Sequence, residues 1–312
     1  MSGDLGTGVV RRASRAKVAA RSASLRLTER DRWLLEALAK TRFLKTGQIA
    51  RLFFGSTWGA NKRLRRLFDA GLVRVLLRSL AAENVYSITR AGVRALGAAE
   101  RVGEGIPRGL DGNLEHLLAI NQVRISLALG MPAAGGELIS WRSDWDLRAI
   151  GKARIVPDAL FVVGWVGAGE RAFALELDHH TKSPRRFLAK ILRYASAAYA
   201  GSGIYGVRDP MILVVGSEID GLERYRSAVA RARFNAPIWF ATLADVDALG
   251  AEDAIWCSAA DARRLSLRDL LFRPSRKEGI TTRTAATAMG CSPWPARLHP
   301  SRIEADKWPN DS

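Results

Sequence analysis

The sequences IVPDALFVV (residues 155–163) and FALELD (residues 173–178) decide the fold, because each is a short apolar run that carries acids. Both runs predict strands of a mostly buried sheet. Side chains alternate across a strand, so Glu176 and Asp178 share one face of the second strand, and its larger apolar residues share the other. Asp158 lies on the preceding strand. If the two strands are neighbours, three carboxylates converge, and a cation, a proton or basic side chains must relieve their repulsion.

The surrounding segment, residues 113–272, predicts an α/β domain in which helices and strands alternate around this pair of strands. A helix is expected to begin at Pro184, since proline suits the first helical position, and its spacing puts Lys190 and Tyr194 on one face. The other expected elements are a helix from Leu114, strands over residues 138–141, 211–216, 237–241 and 254–257, a basic helix over residues 222–234 and a short helix over residues 265–272.

Residues 26–100 show the pattern of a smaller domain, in which three helices precede a hairpin and a fourth helix. The signals are helix caps, a glycine suited to a left-handed cap and two short apolar strands. The expected elements are a first helix capped by Thr28, a second with Thr46 as its N-cap, a third ending at Gly71, a hairpin of residues 72–76 and 84–88, and a fourth helix beginning at Thr89.

The motif RRLFDAGLV (residues 65–73), followed by YSIT (residues 86–89), resembles the winged helix-turn-helix family. That resemblance implies a DNA-binding domain whose third helix enters the major groove. The third helix here offers side chains that can reach base edges and phosphates. The predicted DNA-binding residues are Asn61, Lys62, Arg63, Arg65 and Arg66. The alternative is a winged helix that contacts protein and keeps its charged face in solvent.

The formal net charge of +17 over 312 residues predicts a polyanionic partner, with nucleic acid as the default. High arginine usage throughout a basic proteome is the plain alternative. No apolar run approaches the ~20 residues of a membrane helix, and the N-terminus lacks the apolar core of a secretory signal. The two cysteines show neither metal-binding spacing nor a disulfide framework. A cytoplasmic, reducing compartment and no membrane partner are therefore expected.

Three segments lack the periodic apolar pattern of a packed element. Residues 1–25 predict a disordered basic arm, which either touches phosphates or is simply solvated. Residues 101–112 predict a linker rich in glycine, and residues 273–312 predict a basic, mostly disordered tail.

The PD of residues 157–158 and the ELD of residues 176–178, in an order of strand, strand and helix, resemble the PD-(D/E)XK nuclease superfamily. The two acids are 18 positions apart, which suits a hairpin. In that superfamily the Asp and the Glu hold a divalent metal that activates water. The resemblance therefore implies Asp158, Glu176 and Asp178 as metal ligands, with Mg²⁺ as the cofactor only if the protein cleaves DNA.

The chain departs from that superfamily at Asp178, where a lysine is normal, and this departure puts catalysis in doubt. The helper lysine would then come from the following helix, as Lys190, or from the loop before it, as Lys182. The implied catalytic set is Asp158, Glu176 and Lys190. In the non-catalytic alternative, the two acids of the second strand form ion pairs with Arg154, Lys190 or Arg193, and His179-His180 is a solvated loop pair.

The two halves together resemble the replication-relaxation family of plasmids, phages and integrative elements, over about residues 28–240. The resemblance rests on the winged helix, a helix with His116 and Asn121, the VPDA of residues 156–159, the ELD of residues 176–178 and the helix with Lys190. It implies a role in the replication, relaxation or mobilisation of such an element.

Our first hypothesis is a DNA-binding protein of a mobile element, with an N-terminal winged helix-turn-helix and a restriction-endonuclease-like α/β domain that lacks efficient catalysis. One alternative is a metal-dependent DNA endonuclease, and another is a transcriptional regulator with a non-catalytic second domain. The expected partners are double-stranded DNA and other replication or mobilisation proteins.

Overall fold

The structure, a computed structural model, describes most of the chain in seven stretches. They are residues 25–76, 82–97, 114–151, 155–179, 183–199, 203–232 and 237–272. Apart from residue 25, the predicted arm, linker and tail lie outside them, as do Arg154, His180 and Lys182. The chain divides into two compact units, Met1–Asn121 and Gln122–Ser312. The predicted domain boundaries stay a prediction.

The first unit has the predicted order of three helices, a hairpin and a fourth helix. Its elements are α1 (Glu29–Thr41), β1 (Leu44–Lys45), α2 (Thr46–Phe53), α3 (Thr57–Asp69), β2 (Val73–Leu76), β3 (Val85–Ile88) and α4 (Arg90–Ala95). The three strands form an antiparallel sheet in the order β1-β3-β2. A longer helix, α5 (Leu114–Ala133), follows, and the division between the units falls within it.

Local chemistry explains where these helices begin and end. Thr28 caps α1 through a capping box with Asp31, and Thr89 caps α4, as predicted. Gly71 follows α3 with φ of 71°, which is the left-handed conformation expected there. The prediction for Thr46 is wrong, because Lys45 is the N-cap of α2. The hydroxyl of Thr46 instead donates to a carbonyl just before β3, so this residue ties α2 to the hairpin.

The core of the first unit lies between the helices and the small sheet. The first part of α5 belongs to it, since Leu118 packs with Phe43 and Val85. The buried amide of Asn121 donates to the carbonyl of Thr41 at 3.1 Å and to that of Phe43 at 2.8 Å. These two bonds tie α5 to the C-terminal end of α1, where the carbonyl of Thr41 also accepts from the N–H of Phe43. The other fully buried core residues include Leu34, Leu38, Ile49, Leu64, Leu67 and Ile88.

The second unit is built on a six-stranded mixed sheet. Its elements are β4 (Gly136–Ser143), α6 (Asp144–Ile150), β5 (Ala159–Trp165), β6 (Gly169–Asp178), α7 (Pro184–Tyr199), β7 (Met211–Gly216), α8 (Ile219–Arg231), β8 (Ile238–Thr242), α9 (Leu243–Ala248), β9 (Cys257–Ser258) and α10 (Leu267–Leu271). The strand order is β4-β5-β6-β7-β8-β9, with parallel pairing of β6 with β7 and of β7 with β8. The predicted mixed α/β class is confirmed.

Both faces of the large sheet are covered, so its central strands are buried throughout. One face stacks Phe161 between Trp141, at 5.1 Å, and Phe173, at 5.4 Å between ring centroids. On the other face, residues of α7 and α8 pack against β7 and β8 in one cluster. Alternation along β6 puts Ala174, Glu176 and Asp178 on the face opposite Phe173.

Some sequence predictions for the second unit need correction. Strand β5 begins at Ala159, so Asp158 precedes the strand instead of lying within it. The strand expected at residues 254–257 is reduced to Cys257–Ser258, because the residues before it form turns. The short helices α6 and α9 were not predicted, although Ser143 and Thr242 sit in front of them as caps. No helix in the described stretches is long and apolar enough to cross a membrane.

Candidate functional site

The outer face of α3 is polar and basic. Ala60, Leu64 and Leu67 are buried on the inner side of the helix, which fixes its rotation about its axis. Asn61, Lys62 and Arg66 are exposed on the outer side. Trp58 is also exposed, at 74 %, and the Nζ atom of Lys62 lies 5.4 Å from the centre of its ring. This face therefore joins donors, two cations and an aromatic ring on a single helix.

Arg63, one of the five predicted DNA-binding residues, forms its contacts within the first unit. Its guanidinium donates to both carboxylate oxygens of the fully buried Asp31, with Nε to Oδ1 at 2.7 Å, and to the carbonyl of Arg26 at 3.2 Å. Burial raises the pKa of Asp31, but the hydrogen bonds from Arg63 and Thr28 outweigh it and hold that pKa below its usual value. Arg63 thus anchors α3 to α1, and its contact with DNA stays a prediction.

Arg65 lies between the exposed face of α3 and a cavity of the first unit. Its guanidinium pairs with Asp69 one turn later, with both contacts at 2.9 Å, and remains 40 % exposed. The cavity has a volume of about 550 Å³ and lies between α2, α3 and the hairpin. Its lining includes Thr46, Thr57, Asn61, Arg65, Glu83 and Tyr86. Two of the five predicted DNA-binding residues therefore line one concave surface.

In the second unit, Asp158 is fixed against β6 by two backbone contacts. Its N–H donates to the carbonyl of Leu175 at 3.0 Å, and its Oδ2 accepts from the N–H of Leu177 at 2.8 Å. These contacts bracket Glu176, the residue between them. The negative charge of Asp158 acts on Glu176 and raises its pKa. The hairpin therefore brings Asp158 close to Glu176, as the sequence predicted.

Glu176 is buried, at 3 % exposure, and its Oε2 accepts from the Nζ of Lys190 in an ion pair. Burial and then the charge of Asp158 raise the pKa of Glu176 to about 7, although Lys190 opposes both effects. Burial lowers the pKa of Lys190, but the charges of Glu176 and Asp158 more than offset it, so that pKa is raised. The lysine predicted from the helix thus meets the acidic strand.

Tyr194 completes this cluster one turn beyond Lys190. Helix α7 buries Phe187, Ile191 and Tyr194 on its sheet side, and this packing carries Lys190 to the acids. The Tyr194 hydroxyl and the Oε1 of Glu176 lack a hydrogen bond of ordinary geometry within the described stretches, although they interact electrostatically. Burial first, and then the charge of Glu176, raise the pKa of Tyr194, which therefore stays protonated.

Asp178, at the position where the resemblance to PD-(D/E)XK nucleases implies a lysine, points into the packing of α8. It is 5 % exposed, and its Oδ1 accepts from the hydroxyl of Tyr225 at 3.4 Å. Within the seven described stretches, no group of three or more His, Cys, Asp or Glu side chains is arranged to hold a metal ion. Asp158, Glu176 and Asp178 as placed do not form a ready three-ligand site, and metal binding stays a prediction.

Sequence reasoning missed two partners that fix these sites. Asp31 has the local pattern of an acid in a capping box, and its spacing from Arg63 gives no sign that the two meet. Tyr225 has the pattern of an apolar core residue of α8. Both contacts join elements far apart in the chain, so no short motif reveals them. The capping acid could have been recognised as buried only from its place beside the apolar stripe of α1.

These features define a two-unit, mixed α/β protein with a basic helix on its first unit and a buried acid–lysine cluster in its second. The model of the replication-relaxation family matches residues 35–214, which is more than half of the chain. The chain belongs to the replication-relaxation family, as the sequence predicted. Membership points to a role in the replication or relaxation of mobile elements. No curated protein and no solved structure matches the chain at a significant level.

Proposed function

We propose that this protein binds duplex DNA through the outer face of α3, in the replication or relaxation of a mobile element. The observation that carries the proposal is the division of α3 into a buried apolar side and an exposed side with Asn61, Lys62 and Arg66. An α-helix of this kind fits the major groove of B-DNA. The net charge of +17 adds a general attraction to polyanions.

The residues of this face have distinct roles in the proposed complex. Asn61 carries donors that can reach base edges, whereas Lys62 and Arg66 supply positive charge for phosphates. Arg65 would have to give up its part-buried ion pair with Asp69 to contact a phosphate.

Fluorescence anisotropy of the full chain with a labelled duplex, over a series of salt concentrations, tests the proposal. The logarithm of affinity should fall linearly with that of salt, and Lys62→Ala and Arg66→Ala should each reduce the slope by about 0.9. Arg94→Ala, which removes an exposed arginine of α4, is the matched control. Wild-type protein without salt-dependent binding, or α3 variants indistinguishable from the control, would refute the proposal.

A metal-dependent DNA endonuclease is the second candidate, because Lys190 meets Glu176 beside Asp158. The side chains as placed fit a bound metal poorly. The Oδ2 of Asp158 accepts from a backbone N–H, and the Oε2 of Glu176 accepts from Lys190. Asp178 accepts from a tyrosine hydroxyl. We therefore derive no catalytic step through a metal.

Cleavage of supercoiled plasmid in Mg²⁺ or Mn²⁺ decides this second candidate. Cutting that is lost in both Asp158→Ala and Glu176→Ala would establish the nuclease. An intact plasmid after incubation with the wild-type protein would remove it. The DNA-binding proposal stands or falls separately, since anisotropy measures binding without cleavage.

A further inference from the structure

Helix α7 of the second unit has a strongly basic outer face. Residues 183–199 contain no acid. Arg185, Arg186 and Arg193 are exposed, whereas Phe187, Ile191 and Tyr194 are buried against the sheet. The fourth cation, Lys190, is turned toward Glu176 and holds the helix to β6. The three arginines are therefore the charge that α7 presents to solvent.

The folding of the helix does not account for these arginines. Arg185 and Arg186 lie in the first turn, where the helix dipole disfavours cations, and no acid lies in that turn. Within the described stretches none of the three arginines forms an ion pair, and the Nε of Arg193 donates only to the carbonyl of Ala189 at 3.3 Å. A phosphate at the same place would be favoured both by the dipole and by the guanidinium groups.

We propose that the outer face of α7 binds the phosphates of duplex DNA, as a second contact surface distinct from α3. This inference rests on the proposed function for the identity of the partner. The seven residue steps from Arg186 to Arg193 rise about 10 Å along the helix. One strand of B-DNA places a phosphate every ~3.4 Å of axis, so this length spans about three phosphates.

This second surface contributes affinity without sequence recognition. Arginine binds phosphate through paired N–H donors, and the exposed arc of α7 carries no Asn or Gln to read a base edge. The ion pair of Lys190 with Glu176 fixes the rotation of the helix, so the arginines stay on its outer side. The effect of α7 should therefore be equal for specific and unrelated duplexes.

The test compares two triple variants of the full chain that lose the same charge. One is Arg185→Gln, Arg186→Gln, Arg193→Gln, and the other replaces by Gln the exposed Arg208, Arg263 and Arg268 of the same unit. Salt-dependent anisotropy is measured for each with a duplex of unrelated sequence. We expect the α7 triple variant to reduce the salt slope by about 2–3, and the control triple variant by less than one.

The outcomes separate this inference from the function on which it rests. If the wild-type protein shows no salt-dependent binding, the proposed function itself fails. If the wild-type protein binds and the two triple variants have the same slope, only the α7 surface is refuted. If the α7 triple variant loses binding to phosphatidylglycerol vesicles but binds duplex DNA as the wild type does, the α7 surface is also refuted as a DNA contact. Should the triple variant unfold, the single variants Arg186→Gln and Arg193→Gln must each lower the slope by about 0.9, or the inference fails.

Discussion

Replacing Glu176 by Gln tests the strongest electrostatic feature of the second unit. The substitution keeps the shape of the side chain and resembles its protonated form. Burial and the charge of Asp158 raise the pKa of Glu176 from 4.5 to about 7. At ~1.36 kcal/mol for each pH unit, ionisation of Glu176 costs the folded state about 3 kcal/mol of stability.

The sign of the effect follows from which state holds the proton. Below pH 4.5 the carboxyl of Glu176 is protonated in both the folded and the unfolded chain. Between pH 4.5 and 7 the unfolded chain releases the proton while the folded protein retains it. Stability therefore falls as pH rises through this window, and the loss is complete above pH 7. Glu176→Gln cannot titrate, so it should match the wild type near pH 4.5 and exceed its stability by about 3 kcal/mol at pH 8.

The assay is urea unfolding of both proteins from pH 4.5 to 8, followed by circular dichroism. Taking the difference between variant and wild type cancels the titrating groups that do not interact with Glu176. Ile191→Val, on the sheet side of α7, is the control, because it removes one buried methyl group and no charge. It should cost about 0.5–1.5 kcal/mol at every pH.

A difference in unfolding free energy between Glu176→Gln and wild type that is constant across this pH range would contradict the raised pKa of Glu176. A Gln variant less stable than wild type at pH 8 would refute it as well. In that case the attraction of Lys190 would exceed the cost of burying the carboxylate.

Three further substitutions test the packing of the first unit and its turns by urea unfolding. Asp31→Ala removes the partner of the Arg63 guanidinium and should lower the free energy of unfolding by about 3 kcal/mol. Asp31→Asn keeps the helix cap and should lower it by less. Asn121→Ala removes the buried amide that donates to the carbonyls of Thr41 and Phe43, and should cost about 1–3 kcal/mol; an unchanged midpoint would contradict that role. In Gly92→Ala the added Cβ would lie 2.3 Å from the backbone oxygen before β2, so a loss of about 1–3 kcal/mol is expected. Its control, Gly151→Ala, meets no described atom within 4 Å and should change stability by less than about 0.5 kcal/mol.

Local signals predicted the parts of the fold that local forces decide. A capping threonine, a glycine after a helix and alternating apolar residues each act within a few positions, so α1, α4 and the β5–β6 hairpin were expected from the sequence. Where tertiary contacts decide the ends of a helix or strand, the sequence did not predict those ends. Thr46 has the chemistry of an N-cap, yet its hydroxyl bonds to the hairpin instead. Its misassignment shows that a competing partner far along the chain can override a local preference.

The candidate sites show the same division. The spacing of Asp158 and Glu176 predicts their meeting, since a hairpin brings such positions together. Lys190 was expected from helical spacing. The ion pair of Arg63 with Asp31 was not expected, because the two residues are 32 positions apart and only the packing of α3 on α1 brings them together. The burial of Asp178 against Tyr225 likewise depends on how α8 packs.

The strand order of the large sheet bears on how this protein is made. Each strand from β5 to β9 pairs with the one that precedes it in the chain. A nascent chain leaving the ribosome can therefore add strands one at a time to a growing edge, with no later segment needed to complete an earlier pairing. The two parallel pairings span the intervening helices α7 and α8, so they form more slowly than the antiparallel pairings and leave those strand edges open for longer.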